Sequence, residues 1–283
     1  MRVGSFATED ERQLVGLIEG DRVQVLSAAT MLEWLAGSGR EATGEARATS
    51  ELRPLAPVPE PPSVRDFYAF EGHVAAGARL RGREIAPHWY EAPAFYFSNP
   101  ASILGPGEPL RRPAATTMLD FELEIAAVIG VAPGDGPGAG LGIAGFTLMN
   151  DWSSRDVQGA EMTVGLGPAK AKDFGTSLGP AIVSADELPL RDGRLQITAR
   201  VLVNGVEAGS SDASEQHHSW PEIVAHAARD TRLRAGDVLG SGTLTGGCLL
   251  EQLADGLEPR WIEPGDVVAL EATGLGRLET PVV

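Results

Sequence analysis

The sequence predicts a β-rich α+β fold, and three observations carry that expectation. Its 283 residues include 35 glycines and 20 prolines, a composition that favours many turns and short strands over long helices. Asp120, Phe121, Glu122, Leu123, Glu124 and Ile125 alternate acid and apolar side chains, the period of two that marks a strand. Apolar runs at 141–150, 181–183, 195–203 and 267–272 are bounded by turn residues, with Asn204-Gly205 a strong hairpin signal.

The totals exclude several classes. Hydrophobic content of 43% and charged content of 22% are those of a soluble globular chain. The formal charge of -16, from 39 acids against 23 lysines and arginines, argues against nucleic-acid binding. Cys248 stands alone, which excludes an intrachain disulfide and a cysteine-rich metal site. Beside Leu249 and Leu250 it reads as a small core residue. The first residues lack the apolar stretch of a secretory signal, and no window is long enough to cross a membrane. These features point to the cytoplasm, with no nucleic-acid or membrane partner.

In chain order, strands at 2–7, 13–18 and 22–26 form a small antiparallel meander, with a turn at Glu19-Gly20-Asp21. A short helix follows at 28–35, with Ser27 or Thr30 near its start. Residues 37–50 show no core face, and the proline-rich stretch at about 50–62 reads as a linker. A small N-terminal β-rich domain at 1–55 and a larger domain at 56–283 are therefore expected. A helix over 66–83 places Asp66, Phe70 and His73 on neighbouring turns. Residues 88–97 read as a loop leading into an aromatic strand. The glycine-proline loop at 134–140 lacks phosphate-cradle spacing and lysine, so nucleotide binding is rejected. Ser153 or Ser154 caps a short helix on which Arg155 and Gln158 point the same way. Ser219 and Pro221 open a helix at 220–229, in which His226 is structural. Residues 165–178 form a glycine- and lysine-containing loop that is either shaped around a polar group or simply solvated.

On the acidic strand Glu122 and Glu124 lie roughly 7 Å apart on one face. They could converge on an ion, or form a solvated edge. Three ordered segments bear on the choice: Asp66-Phe-Tyr-Ala-Phe-Glu-Gly-His73, Leu119-Asp-Phe-Glu-Leu-Glu-Ile125, and Met149-Asn-Asp-Trp-Ser-Ser-Arg-Asp-Val-Gln158 continuing to Lys172-Asp-Phe-Gly-Thr176. With Gly240-Ser-Gly-Thr243 and Glu251, they resemble the fumarylacetoacetate hydrolase family over about residues 60–275. Residues 1–55 resemble the variable N-terminal domain of its short bacterial members.

The resemblance implies a mixed β-sandwich roll with a small N-terminal domain, and a homodimer. It implies a divalent cation, Mg²⁺ or else Mn²⁺ or Ca²⁺, held by Asp66, Glu122, Glu124 and Asp151, and no organic cofactor. Four converging carboxylates need a hard cation to offset their repulsion. His73 matches the general base and Glu251 the carboxylate that orients it. Arg155, Gln158 and Lys172 match groups at the polar end of the site. Tyr68, Tyr96 and Thr243 match substrate-positioning residues, and Asp173 and Thr176 a supporting layer around the metal or Lys172. One of Arg79, Arg81 and Arg83 corresponds to a substrate-facing arginine in some members. The implied reaction is hydrolysis of a C–C bond in a β-diketo acid such as an acylpyruvate or a fumarylacetoacetate-like compound. The alternative on the same metal site is decarboxylation or isomerisation of 2-oxo or 2-hydroxydiene diacids in aromatic catabolism. Many short members, and oxaloacetate-decarboxylating relatives, place a glutamate shortly after the histidine. Here Val74-Ala-Ala-Gly77 stands there, and Glu71 precedes it.

Overall fold

A computed structural model describes residues 1–132, 134–135 and 140–283. The glycine-proline loop expected at 134–140 falls largely outside the described residues. The chain opens with the expected meander, β1 (Arg2–Ala7), β2 (Gln13–Glu19) and β3 (Arg22–Leu26), and then helix α1 (Met31–Leu35). Thr30 caps α1 by accepting the Glu33 N–H. Residues 37–50, which show no core face, nevertheless supply β4 (Ala42–Ala48). It is an edge strand on β3, where backbone pairing suffices without an apolar stripe. The proline-rich stretch contains β5 (Arg53–Pro54), and Leu55, Ala56 and Val58 within it are buried.

Next come β6 (Val64–Phe67), α2 (Glu71–Leu80), α3 (His88–Glu91), β7 (Phe95–Ser98) and β8 (Ile103–Leu104). Asp66 thus lies on a strand, not on the helix expected over 66–83. β6 pairs with a neighbour on both sides, and that pairing overrides local helical spacing. The acidic stretch divides into β9 (Leu119–Asp120) and β10 (Leu123–Gly130). β11 (Gly142–Asp151), β12 (Ser153–Ser154), α4 (Arg155–Met162) and β13 (Thr176–Val183) follow. Neither serine side chain caps α4; Asp156 instead ties its first turn to Thr116 and Thr117.

The last third holds β14 (Leu190–Arg191), β15 (Arg194–Leu195), β16 (Thr198–Val203), β17 (Val206–Asp212), α5 (Trp220–Ala228), β18 (Val238–Gly240), α6 (Leu249–Ala254), β19 (Val267–Ala272) and β20 (Gly276–Pro281). The Asn204-Gly205 hairpin joins β16 to β17, and Ser219 with Glu222 builds the capping box of α5.

A 12-stranded sheet runs β4-β3-β2-β1-β13-β11-β10-β18-β6-β7, with β5 on β1 and β8 on β13. A four-stranded sheet, β17-β16-β19-β20, packs on it. Phe121, Leu123, Ile125, Ala127 and Ile129 meet Val201, Val268, Leu270 and Leu278 in the main core. Ala126 instead joins Val64, Met149, Leu178 and Val238 on the opposite face. Glu124 shares the parity of Ala126, so the alternation in the sequence sends the acids away from the main core and toward one pocket. The result is strand-rich mixed α/β, as the composition requires. Among the described residues no helix is long and apolar enough to cross a membrane.

Candidate metal centre and histidine dyad

Strands β6, β10 and β11, with the break between β9 and β10 that holds Glu122, bring the acids together. Leu123 opposes Asn150 across β10 and β11, which sets Asp151 near Glu122, and Asn150 Oδ1 accepts the Glu122 N–H at 2.9 Å. Gly240 of β18 lies between Ala126 and Asp66 in register. A Cβ at Gly240 would come 2.6 Å from Asp66 Oδ1 and 2.9 Å from Glu124 Oε2, so the missing side chain is the room the carboxylates occupy. Asp66, Glu122, Glu124 and Asp151 each offer an oxygen within 4.8 Å of the others, and all four are buried.

Two cations hold part of this charge. Lys172 Nζ lies 2.5 Å from both Glu122 Oε2 and Asp151 Oδ2. Arg155 bridges Asp120 Oδ2 and Glu122 Oε1, each at 2.8 Å. For Glu122, burial is outweighed by Lys172, Arg155 and His73, and the carboxyl is held well below its usual range. Glu124 shows the reverse, with burial and then Asp66 pushing its carboxyl well up. Asp66 is raised by burial and then by Asp151. Asp151 is raised by burial, against the pull of Lys172. Asp66 Oδ1, Asp151 Oδ1 and both oxygens of Glu124 are buried and receive no donor from the backbone or from a basic or hydroxyl side chain, Asp66 and Glu124 having only each other's carboxyl within reach. Orphaned carboxylate oxygens at this depth are costly in a native fold. An all-oxygen, multiply anionic set of this kind fits a hard divalent cation. The four acids named from the sequence could therefore hold such an ion.

Beside the acids stands a histidine dyad. His73 lies in the first turn of α2 and Glu251 in the first turn of α6, and both are buried. His73 Nδ1 is 2.7 Å from Glu251 Oε1, and Glu251 Oε2 accepts the Gly246 N–H at 2.6 Å. His73 Nε2 faces the acids, 3.8 Å from Glu122 Oε1. With Nδ1–H donated to the carboxylate, Nε2 keeps the free lone pair.

Arg155 donates to Gln158 Oε1 at 3.0 Å, leaving the amide NH₂ of Gln158 as a donor. Tyr96 donates to Asp151 Oδ2 at 2.6 Å, so its hydroxyl is committed to an acid of the cluster. Tyr68 packs edge-on against His73, with ring centroids 5.4 Å apart. Among the three candidate arginines, Arg81 lies against the Tyr68 hydroxyl, while Arg79 pairs with Asp255 on the surface. Thr243 is buried in the turn after β18, where Gly242, at φ +79°, lets the chain approach the Phe67 carbonyl. Thr176 opposes Asp151 in register and lies 3.4 Å from Ser98 Oγ. Asp173 is not brought to the Lys172 ammonium; its carboxylate takes Lys170 at 2.8 Å.

The sequence reading passed over Asp120, Gly240 and Cys248 as site residues. Asp120 accepts the Leu249 and Leu250 N–H groups and also holds Arg155, so one carboxylate fastens α6 and a site cation together. Its place at the head of the acidic alternation was the available signal.

Known proteins resemble this chain in sequence and in fold. The family model described as fumarylacetoacetate (FAA) hydrolase C-terminal matches residues 63–283. The chain is 30% identical over 272 residues to the fumarylacetoacetase of Bos taurus, covering 72% of this chain and 64% of that protein, so it spans just under two thirds of that relative's length. It resembles the crystal structure of 5-carboxymethyl-2-hydroxymuconate delta-isomerase from Mycobacterium smegmatis, with 28% identity, a TM-score of 0.75, and coverage of 100% of this chain and 99% of that one. A 2-hydroxyhepta-2,4-diene-1,7-dioate isomerase from Mycobacterium marinum matches with 25% identity, a TM-score of 0.74, and coverage of 100% and 98%.

Proposed function

The chain belongs to the fumarylacetoacetate hydrolase family, and from that premise we propose that it is a divalent-metal-dependent hydrolase cleaving a C–C bond in a β-diketo acid. The observation that carries this reading is the His73–Glu251 dyad, whose Nε2 is aimed at the acid cluster. A cation held by Asp66, Glu122, Glu124 and Asp151, Mg²⁺ by preference over Mn²⁺ or Ca²⁺, would supply Lewis-acid polarisation of the diketo oxygens.

His73 Nε2 takes a proton from water as the oxygen attacks the carbonyl carbon, and Glu251 stabilises the imidazolium that forms. Collapse of the tetrahedral adduct breaks the C–C bond. The electron pair leaves as an enolate, and the imidazolium returns its proton to that carbon. Gln158, fixed by Arg155, donates its NH₂ toward the substrate's anionic oxygens. Lys172 and Arg155 hold Glu122 and Asp151 in place, and Tyr68, with Arg81 behind it, borders the base. Tyr96 donates to Asp151, Thr176 pairs with it across β11 and β13, and Thr243 lies buried in the turn after β18. We place the enzyme in the cytoplasm as a homodimer, which sedimentation analysis checks.

A second reading rests on the full-length likeness to the two isomerases: a decarboxylase or isomerase of 2-oxo or 2-hydroxydiene diacids on the same scaffold. Product trapping separates the two. The protein is incubated with acylpyruvates and with 2-hydroxydiene diacids, with and without Mg²⁺. Two carbon fragments from a diketo acid are the expected result. Release of CO₂, or a spectral shift without fragmentation, rejects hydrolysis in favour of the second reading.

A further inference from the structure

Cys248 brings a sulfur to the His73–Glu251 dyad, beside the four-acid pocket and chemically unlike it. Its Sγ is 3.6 Å from His73 Nδ1 and 3.7 Å from Glu251 Oε1, and those two atoms are 2.7 Å apart. All three side chains are buried. In their plane the point equidistant from the three atoms lies about 2 Å from each, a zinc–nitrogen or zinc–oxygen length, and an ion displaced out of that plane away from the sulfur reaches the zinc–sulfur length of about 2.3 Å. A tetrahedral ion with zinc–nitrogen and zinc–oxygen bonds of about 2.0–2.1 Å and a zinc–sulfur bond of about 2.3 Å sets nitrogen and oxygen about 3.3–3.4 Å apart, and each about 3.5–3.6 Å from the sulfur. The two sulfur distances already match that spacing, and only the imidazole–carboxylate pair must open. The donor set of one nitrogen, one sulfur and one oxygen is borderline-soft, unlike the all-oxygen pocket beside it.

We propose that His73, Cys248 and Glu251 form a binding site for a thiophilic divalent cation of the zinc class, and that its occupation shuts the enzyme off. The proton balance explains the inhibition. Burial keeps the Cys248 thiol protonated, and the incoming ion displaces that proton to solvent. The ion takes the Nδ1 lone pair of a neutral imidazole, so the ring's one proton moves from Nδ1 to Nε2. The nitrogen facing the acid cluster then has no lone pair with which to accept a proton from water. A hard cation in the four-acid pocket does not compete for this site, because it gains little from a thiolate.

The inhibitory half rests on the reading of His73 as the base, whereas the site itself rests on the three ligand atoms. The test uses the full chain with saturating Mg²⁺, so that the oxygen pocket is filled, and Cd²⁺ as the probe. Cys248 is the chain's sole cysteine, so an ultraviolet thiolate-to-cadmium charge-transfer band reports on it alone. The band is expected to saturate at one equivalent. His73→Ala and Glu251→Gln should each weaken it by about tenfold or more. Cys248→Ser should lack the band and require about tenfold more Cd²⁺ to halve its own rate, with Cys248→Ala as the second variant. Absence of a band under saturating Mg²⁺, or a band indifferent to His73→Ala, overturns the site. Equal Cd²⁺ sensitivity in wild type and Cys248→Ser overturns the inhibition. If the band behaves as expected but no diketo acid is turned over, the proposed function fails while the site stands.

Discussion

Asp120 and Glu124 lie four residues apart on one acidic stretch and are equally buried, at 0% exposure. Their surroundings differ completely. Asp120 accepts two backbone N–H groups from the start of α6 and one from Arg155 Nε. Glu124 receives no donor from the backbone or from a basic or hydroxyl side chain on either oxygen, and its close polar neighbour is another acid, Asp66. One carboxylate is saturated by the protein and is structural; the other is crowded by Asp66 and is the one that the proposed cation would satisfy. Burial and charge are alike at the two positions, and it is unsatisfied valence that distinguishes the proposed metal ligand from the bracket.

Glu124→Gln breaks the comparison most directly. Turnover should fall below detection, and Mg²⁺ should no longer raise the melting temperature. In wild type, Mg²⁺ at a hundred times its dissociation constant should add about 2.7 kcal/mol. Without metal the variant should be at least as stable as wild type, because it relieves a crowded buried acid. Loss of stability in EDTA would show that Glu124 is a bracket too. His73→Ala should lower turnover by about 10²–10⁴-fold, yet leave the Mg²⁺ stabilisation intact. If stabilisation were lost as well, the histidine would belong to the metal site.

Asp120→Ala should act in the opposite sense to Glu124→Gln. It strands Arg155 and the amides of α6, at a cost of about 3–5 kcal/mol in denaturant unfolding. The smallest effect concerns Asp266, another saturated carboxylate, which accepts from Arg260, Asn204 and the Glu263 N–H. Burial opposes these contacts but is outweighed, and its pKa is held down at about 2, from an ordinary 3.8. A depressed folded-state pKa contributes stability that is full above about pH 4 and fades as pH falls toward about 2. Asp266→Asn should therefore cost about 1–2 kcal/mol at pH 7, and its deficit relative to wild type should shrink in acid unfolding. A deficit independent of pH would discount the carboxylate's charge.

The acidic alternation was legible because a period of two survives even where the strand is interrupted between Asp120 and Leu123. The family motifs carried Asp66, Asp151, His73 and Glu251 into one expected site, and the structure brings them together. Asp66 was assigned to the wrong element type because its helix-like spacing to Phe70 and His73 is local, while its strand is fixed by β18 and β7, distant in sequence. β4 was missed for a related reason, since an edge strand of small and charged residues carries no apolar signature. Arg81 stood out from its neighbours only through a contact with Tyr68 that no spacing rule encodes. Cys248 read correctly as a buried residue, but its two chemical neighbours come from α2 and from the first turn of α6, which it precedes, and only folding sets them side by side.

The join between β1 and β13 has a practical consequence for anyone shortening the chain. Arg2 and Val3 pair with Val183 and Ile182, and Val3, Val15, Trp34 and Leu35 share a core with Val128, Ala144 and Ile182. A fragment starting near residue 56 would bare both a strand margin and an oily flank of the sheet that carries the acids. Such margins recruit other chains, so the shortened protein should clump during expression rather than emerge as a free-standing catalyst.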